Sequence, residues 1–223
     1  MKQADKKYLR PTSTIDCDSE SIKRKAELLT KSQQEVTGKA KNLFYFVRDE
    51  IKYNLYVPSD LREYYRASRT LGAGEGFCVQ KAVLLLALVR AVDIPARLHL
   101  AAIRNHLIPD KLKELLGTNQ FPAHGYTELY IEGKWVKATP TFDLKTCQKN
   151  RIIPVEFDGK HDALLHSHNQ DRELHIEYVE DHGYYDDLPF EKIISLRKQV
   201  YDADIFERLR QASESKKARA ADA

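Results

Sequence analysis

Residues 71–92 read "LGAGEGFCVQKAVLLLALVRAV", and the fold turns on them. Three alternate glycines, Gly72, Gly74 and Gly76, lead to Cys78 and then to an apolar run ending at Val92. Val79, Ala82 to Val89, Ala91 and Val92 leave almost no polar face. A helix that is apolar nearly all round lies in the centre of its domain. Pro95 in "DIP" stops it, because proline cannot continue a helix. The stretch therefore predicts a central buried helix with one cysteine at its N-terminus.

The flanks give that helix its partners. Upstream, Ser19 or Ser21 can cap a helix over "ESIKRKAELLTKSQ", after an extended, turn-rich start over residues 1–19. A second helix, "VTGKAKNLFYFVRDEI", carries Ala40, Leu43, Phe44, Val47 and Ile51 at helical spacing. "KYNLYVPSD" reads as a short strand or loop stopped by Pro58. Downstream, "ARLHLAAI" alternates as a strand does. "HGYTELYIEGKWVKAT" (124–139) reads as a β-hairpin turning at Glu132-Gly133. Residues 140–190 are loop-rich with short strands such as "LHIEYV". A terminal helical pattern then covers "LPFEKIISLRKQVYDADIFERLRQ". The order of elements predicts an α+β fold, a central helix against a mainly antiparallel sheet. A single domain is expected over residues 1–210, with a flexible tail over 211–223.

Composition narrows the function. Hydrophobic residues are 42% and charged residues 31% of the 223, an ordinary globular balance. A net charge of +3 with mixed signs gives no reason to expect nucleic acid. No apolar run reaches the roughly 20 residues of a membrane span, and the N-terminus lacks the apolar core of a secretory signal. Three cysteines, Cys17, Cys78 and Cys147, form neither a disulfide framework nor a CxxC pair. A reducing, cytoplasmic setting is expected.

The junction before the central helix suits chemistry. A helix N-terminus presents unpaired N–H groups and partial positive charge. Both favour a thiolate and can hold an oxyanion. A packed, inert cysteine is the competing reading. A thiol nucleophile needs an imidazole base held by a third group. Of eight histidines, His124 fits best, because it opens the hairpin strand. With a two-residue turn at Glu132-Gly133, positions summing to 265 face each other. Thr141 is then opposite His124, with Thr139 and Asp143 as diagonal neighbours within reach of the ring.

These segments resemble the transglutaminase-like superfamily, whose fold is related to papain-like cysteine proteases. The resemblance rests on "GEGFCVQKAVLLLALVRAVDIPARL" followed by "HGYTELYIEGKWVKATPTFD", and it spans roughly residues 40–143. It implies Cys78 as nucleophile and His124 as base. One position departs from the pattern. The family has Asp-Pro-Thr after the Trp-Val strand, whereas this chain reads "TPT", with Thr139 first. The third member is then either Asp143, displaced along the chain, or an uncharged Thr139. Asp143 is preferred because only a carboxylate can stabilise an imidazolium.

The expected activity is acyl transfer on an amide bond of a peptide or other amide-containing substrate. Hydrolysis is preferred to cross-linking because no calcium loop or accessory domain is evident. No cofactor and no metal are implied. His161, His166, His168 and His175 cluster, but at no zinc-site spacing, so a solvent-facing loop is expected. Arg104, Asn105 and His106 could line the cleft, with a polar loop as the preferred reading. Trp135, Cys17 and Cys147 are expected to pack. Two other classes remain open at this stage: a binding module that kept the fold without the chemistry, and a structural protein whose cysteine only packs.

Overall fold

A computed structural model describes residues 3–221. Helix α1 (Glu20–Thr30) and helix α2 (Val36–Glu50) form an outer layer. Ala40, Leu43, Phe44 and Val47 of α2 are buried, with Ile51 just beyond its end. The 3.6-residue spacing thus buries one face of α2, as expected. Ser19 occupies the N-cap of α1, but its hydroxyl makes no capping bond. The N-terminal segment is not extended throughout, since Gln3–Leu9 form a 3-10 helix.

Strand β1 (Lys52–Tyr53), helix α3 (Ala67–Ala73) and strand β2 (Glu75–Gly76) lead to the central helix. Gly74 ends α3 in the left-handed region, φ 66°, where a residue with a Cβ is strained. The chain then pairs β2 in parallel with β1, Tyr53 opposite Gly76. Helix α4 (Cys78–Arg90) follows directly, and every one of its residues is buried. Gln80 caps it from within. Its Oε1 accepts from the Phe77 N–H, and its Nε2 donates to the carbonyls of Pro58 and Tyr64.

Strands β3 (Ala96–Asn105), β4 (Gln120–Ile131), β5 (Lys134–Ala138) and β6 (Ile176–Tyr185) form one sheet in the order β5-β4-β3-β6. Every pairing in it is antiparallel. The hairpin has the predicted register, from Ile131 opposite Lys134 to Thr127 opposite Ala138. Glu132 and Gly133 both have positive φ, 49° and 86°, the twist that two-residue hairpin turns require. Strand β6 is longer than the short strand read at "LHIEYV", and its ten residues run along β3.

Helix α5 (Asp110–Leu116) bridges β3 and β4, and helix α6 (Leu144–Lys149) follows the hairpin. The terminal helical pattern is two helices, α7 (Phe190–Val200) and α8 (Ile205–Ala221). Helix α8 carries regular backbone through most of the segment expected to be a flexible tail. One core lies between α4, the sheet and the outer helices. A second, smaller cluster joins Ile108 and Leu116 to Ile205 and Leu209 of α8. No helix among the described residues is long and apolar enough to cross a membrane.

Candidate active site

The start of α4 meets the sheet at Gly125. A Cβ there would lie 3.0 Å from the Val79 Cα, so a side chain would press the two backbones apart. One turn on, the Thr127 hydroxyl donates to the Ala82 carbonyl and fixes the same contact. Strand β4 is thereby locked to α4, and Cys78 lies beside the residue that follows His124. The thiol is 7% exposed and His124 is 1% exposed. Both line one cavity of about 20 Å³, with Tyr53, Asn105, Thr141 and Leu165 among its walls.

Electrostatics at the pair are dominated by burial. Burial raises the Cys78 thiol above its ordinary value, while the Gly125 N–H, the charge of Arg197 and the N–H groups of Val79 and Cys78 itself pull the other way. Burial alone drops the His124 imidazole to about 3. Both groups are therefore neutral in this closed arrangement. His124 Nε2 is buried and has no hydrogen-bond partner among the described residues. The Thr141 hydroxyl, in the wall of the same cavity, is in the same condition. Native proteins satisfy nearly all buried polar groups, so two such atoms around one thiol mark a site under other demands.

Asp143 does not reach His124. Strand β5 ends at Ala138, because Pro140 cannot donate to the ladder, and the predicted register does not extend to Thr141 or Asp143. His124 faces Ala101 of β3 instead. Asp143 caps α6, accepting from the Thr146 N–H at 2.9 Å and its hydroxyl at 2.8 Å. It also accepts from the Tyr53 N–H at 2.8 Å. Burial opposes its charge, but these donors outweigh burial and hold its carboxyl below the usual range. Lys81 completes this brace. It is fully buried in α4 and donates to the carbonyls of Arg48 and Ile51. Burial brings Lys81 down to about 7, with the nearby Asp143 opposing the drop. Together they hold Tyr53 where its ring borders the thiol.

Thr139, at the position where the family motif has Asp, is fully buried beside the Tyr178 phenol. The Tyr178 ring lies 6.0 Å from that of His124, edge to face. Tyr53, Gly125 and Tyr178 were not singled out from the sequence. For Gly125 a signal existed, since a glycine inside a strand often marks a close backbone approach. For Tyr178 none did, because its strand was not recognised as part of the sheet.

Access comes from an open groove of about 710 Å³. Tyr53, Asn105, Phe121 and Phe142 line both that groove and the inner cavity. Tyr53 and Phe142 pack edge to face at 4.9 Å, forming the threshold between the two. Asn105 thus lines the cleft rather than a remote loop, while Arg104 and His106 bind Glu177. The histidine cluster disperses. His161 binds Asp158, His166 the Pro154 carbonyl and His168 Ser167, and His175 stacks on Phe142. Trp135 packs against Tyr130 and Tyr8. Cys17 and Cys147 are buried and unpaired.

The sequence profile of the transglutaminase-like superfamily matches residues 23–140, just over half of the chain. No curated protein matches the sequence. Among solved structures, one titled a "Putative Cysteine Protease from Cytophaga hutchinsonii" is 20% identical with a TM-score of 0.50. The similarity covers 63% of this chain and 43% of that one, and it is a similarity of fold. The periplasmic domain of TgpA from Pseudomonas aeruginosa is 21% identical with a TM-score of 0.39, over 53% of this chain and 41% of that one. The chain thus spans less than half the length of either.

Proposed function

The chain belongs to the transglutaminase-like superfamily, and from that premise we propose that it is a cysteine-dependent hydrolase of amide bonds. The observation that carries this reading is the shared cavity of Cys78 and His124 at the start of the buried helix.

In the proposed reaction both groups start neutral. His124 takes the thiol proton as Sγ attacks the amide carbonyl carbon. Negative charge passes to the carbonyl oxygen, where the N–H groups opening α4 receive it. The imidazolium then returns its proton to the amide nitrogen, the C–N bond breaks, and a thioester remains on Cys78. Water, deprotonated by His124, releases the acid and restores the thiol. An amine in place of water would make the reaction a transamidation. Hydrolysis is the preferred outcome, with a peptide or similar amide as substrate. Asp143 contributes at one remove, by fixing Tyr53. Thr139 stands at the sequence position where the family motif has an acid. Three unpaired cysteines suit a reducing compartment, and the cytoplasm is the proposed location.

A second reading has one observation in its favour. No carboxylate offsets the effect of burial on His124, as expected of a binding module that has lost its chemistry. The rate of Cys78 alkylation by iodoacetamide separates the two. For the enzyme, His124→Ala slows alkylation at neutral pH by about tenfold or more, since a positioned base is worth at least that. Equal rates in the two proteins would sink the hydrolase reading.

A further inference from the structure

Cys78 has a second flank. Beyond the cavity shared with His124, α7 and α8 close over the thiol and leave another of about 30 Å³. Its walls are mostly apolar, including Phe77, Phe121, Tyr201 and Phe206. One cation enters it, Arg197 of α7, which is 9% exposed.

Arg197 is held but not neutralised. Its Nη1 donates to the Ser59 hydroxyl and the Tyr65 hydroxyl, both at 3.1 Å. Its guanidinium lies 5.0 Å from the Phe77 ring centre and 5.8 Å from that of Phe206. Nε and Nη2 hydrogen-bond to no described residue, and no carboxylate of the described chain forms an ion pair with Arg197. Four acids on these helices and their connection pair with other cations. Glu191 binds Arg62, Asp202 and Asp204 bind Arg208, and Glu207 binds Arg210. A guanidinium keeps its charge when buried, and a buried charge without a counter-ion is costly. Hydroxyls and ring faces offset only part of that cost.

We infer that this flank is a subsite for a carboxylate of the substrate, bound by the free edge of the Arg197 guanidinium beside Cys78. The inference rests on the hydrolase reading and names its substrate class: an amide whose carboxylate lies close to the bond cleaved. Nε and one Nη are the fork that pairs with both oxygens of a carboxylate. A cavity of 30 Å³ holds about two water-sized groups, the size of a carboxylate head. Aromatic walls raise the strength of the ion pair by excluding water.

Two alkylating reagents of one shape test the charge. Iodoacetate carries a carboxylate and iodoacetamide does not, and each loses iodide to the thiolate. The rate ratio of iodoacetate to iodoacetamide at Cys78 is read by mass spectrometry, with Cys17 and Cys147 as references in the same chain. Arg197→Gln should lower the ratio about tenfold; the loss of its charge beside the thiol slows both reagents alike and cancels in the ratio. Arg197→Lys should keep part of the preference, because a point charge replaces the fork. An unchanged ratio in Arg197→Gln overturns the subsite.

A binding measurement keeps the two readings apart. Saturation-transfer NMR on the Cys78→Ser protein compares N-acetyl-Gly-Gly, its C-terminal amide, and N-acetyl-Glu amide. Binding of either carboxylate peptide above the neutral one supports the subsite even if Cys78 proves unreactive, and the better of the two tells a chain terminus from an acidic side chain. Equal binding of all three overturns it. Should Arg197→Gln fail to fold by circular dichroism, the peptide comparison on the wild-type side chain still decides.

Discussion

Two histidines on neighbouring strands lie near the Tyr126 ring, and their surroundings shift them in opposite directions. His99 of β3 stacks on the Tyr126 ring at 4.6 Å, and His124 of β4 lies 6.1 Å from it. His99 has a carboxylate on each nitrogen, Glu128 and Asp181, both at 2.7 Å. Burial opposes its charge, yet those bonds outweigh burial and raise its pKa above 6.5. Glu128 also binds Arg97, whose guanidinium stacks on Trp135 and Tyr184. His124 has burial and nothing to offset it. The difference is between a complete network and an incomplete site. Completed networks hold charge and fix structure. His124 is left neutral, with one nitrogen unbonded among the described residues and a thiol in the same cavity.

Removing each histidine's function should therefore act on different observables. The largest effect expected is on rate. His124→Ala should lower amide hydrolysis by about 10²- to 10⁴-fold, a loss larger than the stability cost of truncating a buried ring. A loss of stability with unchanged turnover would reverse the roles assigned to the two regions.

Next is Glu128→Gln in the complete network. It leaves His99 and Arg97 without their shared anion and should cost about 3 kcal/mol of unfolding free energy, measured by urea titration. Gly125→Ala comes third. The added methyl meets the Val79 backbone, and overpacking of this kind costs about 1–3 kcal/mol. It should also depress alkylation of Cys78, since β4 would be pushed off the start of α4. Asp143→Asn is smaller. It weakens a helix cap and the brace on Tyr53 at a cost of about 1 kcal/mol. If it instead removed activity as fully as His124→Ala, Asp143 would be acting on the ring directly.

The pH dependence of stability gives the finest contrast. His124 titrates near 3 when folded and near 6.5 when unfolded. Between those values the unfolded chain binds the extra proton, so stability falls as pH drops from 6.5 toward 3. His99 has a raised folded pKa. Its contribution is full below 6.5 and is lost as pH rises through the folded value. His124→Ala should flatten the acid limb, and His99→Gln the limb above 6.5. Urea midpoints measured from pH 4 to 9 would read both, and interchanged limbs would refute the contrast.

The features legible in the sequence are the local ones. The apolar run from Val79 needs no distant information to be a buried helix. The Glu132-Gly133 turn fixes the hairpin register by its own backbone. Pro140 could have warned that this register ends before Asp143, since a missing N–H breaks a ladder wherever it falls. What the sequence did not disclose depends on where distant segments come to rest. Pairing of β6 with β3 joins residues some 80 positions apart, with only weak alternation to announce it. Arg197 lies 119 residues beyond Cys78 (197 − 78), on a helix whose pattern marks its buried face but not what that face meets. The chain by itself determined the central helix, the hairpin and the thiol at their junction, because periodicity and turn chemistry act over a few residues. Tertiary structure alone decided that Asp143 caps a helix, that His124 stands without a carboxylate, and that a buried cation flanks Cys78. Those outcomes depend on which side chains burial brings together, and on the low dielectric that then sets their charge.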